Sequence, residues 1–167
     1  GVRAVAVESV EAAVRGADVI NVATAGAVSP EIQDEWLKEG VLLTLPASAA
    51  LSLNTMKSAR IVVDNWKMYE AYAQELRGLP GGYAANLSGI CGYLMDLVEG
   101  GEIPQQDIVN LGDVIAGKQE GRRDDQERVI FIMDGMPIED LAWGYTVYEN
   151  AKEMGLGTKL NLWETTR

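Results

Sequence analysis

The chain has no histidine, one cysteine and one phenylalanine among 167 residues, and 14 Lys and Arg stand against 25 Asp and Glu. Each shortage narrows the function. Without histidine the commonest transition-metal ligand and the commonest general base near neutral pH are missing, so a zinc centre or a Ser-His-Asp triad within this chain is excluded. A single cysteine, Cys91, permits no intrachain disulfide and suits a reducing compartment. The formal net charge of −11 argues against nucleic acid as a partner, because neutralising phosphates requires clustered Lys and Arg. No apolar run approaches the length of a membrane span. The expectation is a soluble, cytoplasmic protein without a metal site, 47% hydrophobic and long enough for a core of its own.

The residues that are present punctuate the chain clearly. Residues 2–7 permit a short strand. Ser9 caps a helix with the stripe Val10, Ala13 and Val14, and Gly16 stands at its end. Residues 17–24, 41–46 and 60–64 are nearly continuous apolar runs, which suit strands buried on both faces of a parallel sheet. Between the first two, Ser29 and Pro30 supply a cap and a proline at the first helical position, predicting a helix that Gly40 ends. This alternation predicts an α/β fold, the second half of a Rossmann-like doubly wound sheet.

Beyond Asp64 the spacing predicts a helix over 66–76, a break at 78–82, helical structure over 83–98 and a helix over 108–116. Residues 119–127 are strongly charged and predict a solvated turn. Residues 129–133 then predict a strand. Pro137 opens a helix with apolar positions Ile138, Leu141, Ala142, Tyr145, Tyr148 and Met154 at helical spacing, and residues 158–163 alternate as a last strand. A domain boundary is expected near Arg128, giving segments 1–128 and 129–167.

Residues 111–143 contain Leu-Gly-Asp-Val-Ile-Ala-Gly-Lys, then Gly-Arg-Arg-Asp-Asp, then Val-Ile-Phe-Ile-Met-Asp-Gly-Met-Pro-Ile-Glu-Asp. This tract resembles the C-terminal signature of the ornithine cyclodeaminase/μ-crystallin family: a Leu-Gly-(Glu/Asp)-Val-Leu-Ala-Gly helix, a charged turn, and a strand entering Gly-x-x-Ile-Glu-Asp at a helix start. Residues 9–40 are similar to the family as well, whereas 47–55 and 78–102 match poorly and 83–98 look like an insertion.

The resemblance implies that the chain begins in the middle of a nucleotide-binding fold and forms the C-terminal half of an enzyme. That enzyme would be a nicotinamide-dependent oxidoreductase or cyclodeaminase-like lyase using NAD or NADP, with hydride transfer at the α-carbon of an amino or imino acid. It implies that the glycine-rich phosphate loop lies outside this chain, and that residues 129–167 return to a dimerisation and substrate domain. The expected partner is a complementary N-terminal half chain, a homo-oligomer, or both. The alternative is a non-catalytic subunit or pseudoenzyme that binds such a chain. A third possibility is a proteolytic fragment that keeps the fold without the activity.

In open α/β sheets ligands bind outside the carboxyl ends of the strands. By resemblance, the loop at Thr24 and Ala25 lines the adenosine side of a dinucleotide, and the loop at Pro46, Ala47 and Ser48 lies beside the nicotinamide. Small residues let backbone approach a flat ring, and Thr24 and Ser48 add hydroxyls. Two departures matter. The family's acidic Gly-x-Asp-x-Pro-Gly-Lys loop is replaced by residues 46–54, which hold neither acid nor lysine, so this loop offers no general base. Met133 stands where several relatives carry a serine near the nicotinamide carboxamide. Its neighbour Asp134 is the candidate catalytic residue, as a substrate-amine partner or proton donor, against a plainer role in capping the Pro137 helix or pairing with an arginine.

The remaining singular residues have plain readings beside sharper ones. Cys91 is expected as a small buried residue or a reactive thiol. Arg122 and Arg123 are expected in a solvated turn or an intersubunit salt bridge. Trp36, Trp66, Trp143 and Trp163 are expected as core or interface anchors. Half of a doubly wound sheet uncovers a strand edge and a helix-facing surface, and contiguous apolar patches beyond a few hundred Å² are rarely left open. The chain is therefore expected not to be a monomer.

Overall fold

The computed structural model describes residues 1–26, 28–87 and 89–160. The chain divides into two compact units, Gly1–Asp134 and Gly135–Arg167. The first opens with α1 (Val10–Val14), capped by the Ser9 hydroxyl, which accepts the Ala12 N–H. There follow β1 (Val19–Asn21), β2 (Glu31–Ile32), β3 (Leu42–Leu45), β4 (Ala50–Leu51), α2 (Leu53–Ser58), β5 (Arg60–Val63), α3 (Trp66–Leu76), α4 (Gly82–Asn86), α5 (Ile90–Glu99), β6 (Val109–Asn110), α6 (Leu111–Ile115) and β7 (Val129–Ile132). The second unit contains α7 (Pro137–Glu153).

Five strands form one sheet in the order β1-β3-β7-β5-β6, and every neighbouring pair is parallel. β2 and β4 form a separate short parallel ladder. Successive strand residues point to opposite faces, and both faces are covered. Leu43, Leu45, Ile61, Val63, Ile130 and Ile132 join the main core, while Val62, Val109 and Val129 pack with Leu42, Leu111, Val114 and Phe131 in a second cluster. This two-sided burial is why these strands read as continuous apolar runs. The mixed α/β architecture with a parallel sheet is the expected one.

Several local expectations give way to tertiary pairing. Residues 2–7 form no strand and are exposed. The segment behind Ser29 and Pro30 forms β2 and a 3₁₀ turn at Asp34–Trp36 in place of a helix. The Pro30 carbonyl accepts the Ala50 N–H, Ile32 is buried, and the Arg128 guanidinium donates to the Asp34 carboxylate and the Leu37 carbonyl. The helix expected over 108–116 is divided, because Val109 pairs with Val62 as part of β6 before α6 begins. The boundary expected near Arg128 falls just ahead of β7, the middle strand of the sheet, and the compact unit runs on to Asp134. The strand expected over 158–163 lies partly outside the described residues, as does Trp163.

The segment expected as an insertion, 83–98, forms α4 and most of α5, which pack with α3 as a helical layer. In α3, Tyr69 is fully buried and Trp66 stacks on it with ring centroids 5.4 Å apart. Gly92 of α5 lets that helix meet α4, since a β-carbon there would lie 2.6 Å from the Tyr83 carbonyl oxygen. Asp96 then receives the Tyr83 and Ala84 N–H groups at the start of α4. In the second unit, α7 forms as the spacing predicts, with Pro137 in its first turn, yet none of its side chains is buried. Trp143, expected as a core or interface anchor, is exposed, whereas Trp36 and Trp66 pack against the core. Among the described residues no helix is long and apolar enough to cross a membrane.

Candidate functional site

Parallel strands end on the same side of a sheet, so the chain leaves β1, β3, β7 and β5 at one rim. Backbone bonds continue past the strand ends: Val22 N–H donates to Thr44 O at 3.0 Å, Ala47 N–H to Val22 O at 3.0 Å, and Met133 N–H to Leu45 O at 3.4 Å. They hold three strand-end loops side by side. Between them lies a cavity of about 440 Å³ lined by Thr24, Ala25, Pro46, Ala47, Ser48, Met133 and Asp134, together with Gly89, Ile90 and Cys91 from the start of α5. All seven residues singled out as cofactor or catalytic candidates in the sequence thus meet at one cavity.

Behind the lining residues Cys91 and Asp134 lie groups whose role the sequence does not announce. Asp64, at the end of β5, is 4% exposed. Its Oδ1 accepts the Asn65 N–H at 2.9 Å and its Oδ2 accepts the Asp134 N–H at 2.9 Å. The Cys91 thiol donates to Asp134 Oδ1 at 3.6 Å. Tyr72 of α3 faces the same carboxylate. Its hydroxyl pKa is pushed up to about 12, first by its hydrogen bond to Asp134 and then by burial. Burial, followed by the Asp134 charge, pushes the Cys91 thiol up to about 12. Burial also raises Tyr69 well above the usual tyrosine value, with Asp64 the next cause.

These directions decide what the groups are at neutral pH. Cys91 is a protonated donor, not a thiolate, so the sharper reading of it as a reactive nucleophile does not hold here. Tyr72 and Tyr69 likewise keep their protons. Asp134 meets neither of its plain expectations. The capping position of α7 is Met136, with no side-chain cap bond, and among the described residues no lysine or arginine forms an ion pair with Asp134. Arg122 and Arg123 lie away from the cavity. Arg122 donates to the Gly40 and Glu127 carbonyls, both at 2.7 Å, and Arg123 pairs with Glu127 within the turn.

The model of the ornithine cyclodeaminase/mu-crystallin family matches residues 1–155. The chain belongs to that family. It is 30% identical over 145 residues to an alanine dehydrogenase of Archaeoglobus fulgidus, covering 83% of this chain and 39% of the relative. Among solved structures it is similar to the Thermococcus litoralis Δ(1)-pyrroline-2-carboxylate reductase in complex with NADH and L-proline, with TM-score 0.65, 25% identity, and coverage of 92% of this chain and 44% of that one. It is also similar to an archaeal alanine dehydrogenase dimer with bound NAD, with TM-score 0.63, 27% identity, and coverage of 95% and 45%. The chain thus spans about two fifths of the length of these family members. Relatives of this kind are amino-acid and imino-acid dehydrogenases and reductases.

Sequence reasoning found the strand-end half of the cavity because strand ends are local features. Gly89, Ile90, Cys91, Tyr72 and the bond from Asp134 to Asp64 were missed, since they come together only through the packing of α3 and α5. One signal was available. Gly89 has φ 87°, a left-handed value that favours glycine at the sharp entry to α5.

Proposed function

We propose that this chain is the cofactor- and nitrogen-binding part of a nicotinamide-dependent oxidoreductase acting on amino or imino acids, in the cytoplasm. The observation that carries the reading is the convergence of Thr24, Ala25, Pro46, Ala47, Ser48 and Met133 on one cavity at the carboxyl ends of parallel strands, where open α/β folds bind nucleotides. The cavity falls within the roughly 300–1,000 Å³ typical of small-ligand sites. Its small side chains and the Thr24 and Ser48 hydroxyls fit one end of a dinucleotide. Thr24 and Ala25 would face the adenosine side; Pro46, Ala47, Ser48 and Met133 would flank the ring.

When bound, NAD or NADP supplies hydride exchange at a substrate carbon. Interconverting an amine and an imine also releases or takes up a proton at nitrogen, and Asp134 is the group in the cavity placed to hold it. Cyclising deamination is not part of the proposal, because residues 46–54 hold no acid or lysine. That same loop favours the second reading, a non-catalytic partner subunit. In either case the apolar residues of α7 and the edge strand β1, where Val19 is 59% exposed, are the surfaces we assign to a complementary chain or a second copy.

The test is titration of the purified protein with NADH, followed by nicotinamide fluorescence, in the wild type and in Ala47→Trp, which fills the cavity. Saturable binding lost in the variant supports the reading. Equal binding by both proteins, or none by either, removes it.

A further inference from the structure

We propose that Cys91 of α5 is a positioning residue that holds the Asp134 carboxylate at the cavity for the cationic nitrogen of an amine or iminium substrate. The inference rests on the oxidoreductase reading above and specifies which end of the substrate this chain recognises.

Charge is the first argument. Among the residues lining the cavity, Asp134 alone carries a formal charge. A substrate carboxylate finds no lysine or arginine there, whereas an ammonium or iminium finds a counter-ion. Because no cation of the described residues forms an ion pair with Asp134, its charge is available to a ligand.

Geometry is the second. An aspartate at the end of a strand has two side-chain torsions to fix, and two elements bear on this one. β5 fixes its backbone through the bond from Asp134 N–H to Asp64 Oδ2 at 2.9 Å. α5 brings the Cys91 thiol to Oδ1 at 3.6 Å. The titratable groups around it are Asp64, Tyr69, Tyr72 and Cys91, with no lysine or arginine among them. Cys91 is 2% exposed and belongs to the core, so its sulfur is held by packing. A donor locked in this way limits the positions open to its acceptor. The carboxylate keeps lone pairs beyond those bonds, since two oxygens offer about four acceptor sites.

The experiment uses the whole protein that carries this chain, with L-alanine and L-proline as amine probes and NAD as co-substrate. KM for the amine and KM for NAD are measured for the wild type, Asp134→Asn, Cys91→Ala and Cys91→Ser. The pH midpoint of Cys91 alkylation by iodoacetamide is measured in the wild type and Asp134→Asn. Asp134→Asn should raise the amine KM roughly tenfold or more while KM for NAD stays within about twofold. Cys91→Ala should raise it roughly three- to tenfold, and Cys91→Ser, which keeps a donor, should recover most of the loss. The alkylation midpoint should fall in Asp134→Asn, because the like charge that disfavours the thiolate is gone.

The possible failures are distinct. If Asp134→Asn raises the amine KM but Cys91→Ala matches the wild type, the positioning role is overturned and the carboxylate's role stands. If Asp134→Asn turns over the amines normally, recognition of the nitrogen is overturned and the oxidoreductase reading survives. An unchanged alkylation midpoint overturns the contact itself. Absence of any turnover by the wild type removes both the oxidoreductase reading and this inference.

Discussion

The backbone N–H of Asp134 donates to the carboxylate of Asp64 across 2.9 Å, tying the end of β7 to the end of β5. The acceptor is buried, and it also receives the Asn65 N–H. Losing it strands two N–H groups near the rim of the cavity. Asp64→Ala is therefore expected to cost about 1–3 kcal/mol of stability, measured by urea denaturation at neutral pH. A variant within a few tenths of the wild type would mean that water replaces the carboxylate without loss.

Gly92 occupies a place where no larger residue fits. Its missing β-carbon would lie 2.6 Å from the Tyr83 carbonyl oxygen and 2.8 Å from the Ala84 Cα, both backbone atoms that cannot swing aside. Gly92→Ala, ordinarily favourable inside a helix, is expected instead to destabilise by about 1–3 kcal/mol through overpacking. Because α5 carries Cys91, the same variant should weaken ligand binding at the cavity. The check is the denaturation midpoint alongside the NADH titration.

Alkaline pH should destabilise the fold earlier than its exposed tyrosines would suggest. Cys91 rises from an ordinary value of 9.0 to about 12, and Tyr72 from 10.0 to about 12. The folded state therefore holds these protons more tightly than the unfolded state does. Their contribution is complete below pH 9 and is lost progressively between pH 9 and 12, as the unfolded chain sheds protons that the folded chain retains. Thermal melts from pH 8 to 12 should show the decline, with a shallower slope in Cys91→Val. Parallel slopes would exclude the thiol as a source.

The exposed apolar residues of α7 predict a change of mass without a change of fold. Leu141 and Trp143 are each 72% exposed, in a helix that buries none of its side chains. A double variant, Leu141→Ser with Trp143→Ser, should lower the assembly mass in native mass spectrometry while leaving the circular dichroism spectrum unchanged. An assembly of unaltered mass would direct attention to the β1 edge.

What the sequence revealed follows the range of the interactions involved. α3 is legible at both ends, since Asn65 caps it locally by accepting the Lys67 N–H and Gly78 follows its end. β3, β5 and β7 are legible from their apolar runs. The segment after Ser29 carries good helix-start chemistry and still becomes β2, because burying Ile32 beside β4 outweighs a local cap. The Ile108 and Val109 pair looks helical until β5 is present to receive Val109. The site divides in the same way: Thr24, Pro46 and Asp134 stand at strand ends that periodicity locates, whereas Tyr72 and Cys91 meet Asp134 across 62 and 43 positions of chain.

The position of β7 bears on how the sheet can form. β1 can pair with β3, and β5 with β6, using chain already synthesised by Asn110. The two pairs share no strand until Val129–Ile132 enters between β3 and β5. Before that moment β3 and β5 each present an open edge, which invites pairing with other chains. Closing the gap requires contacts of long sequence separation, which form slowly. The middle of this sheet is thus the last part to be made, and a ribosome stalled ahead of Val129 would hold two half-sheets without the strand that joins them.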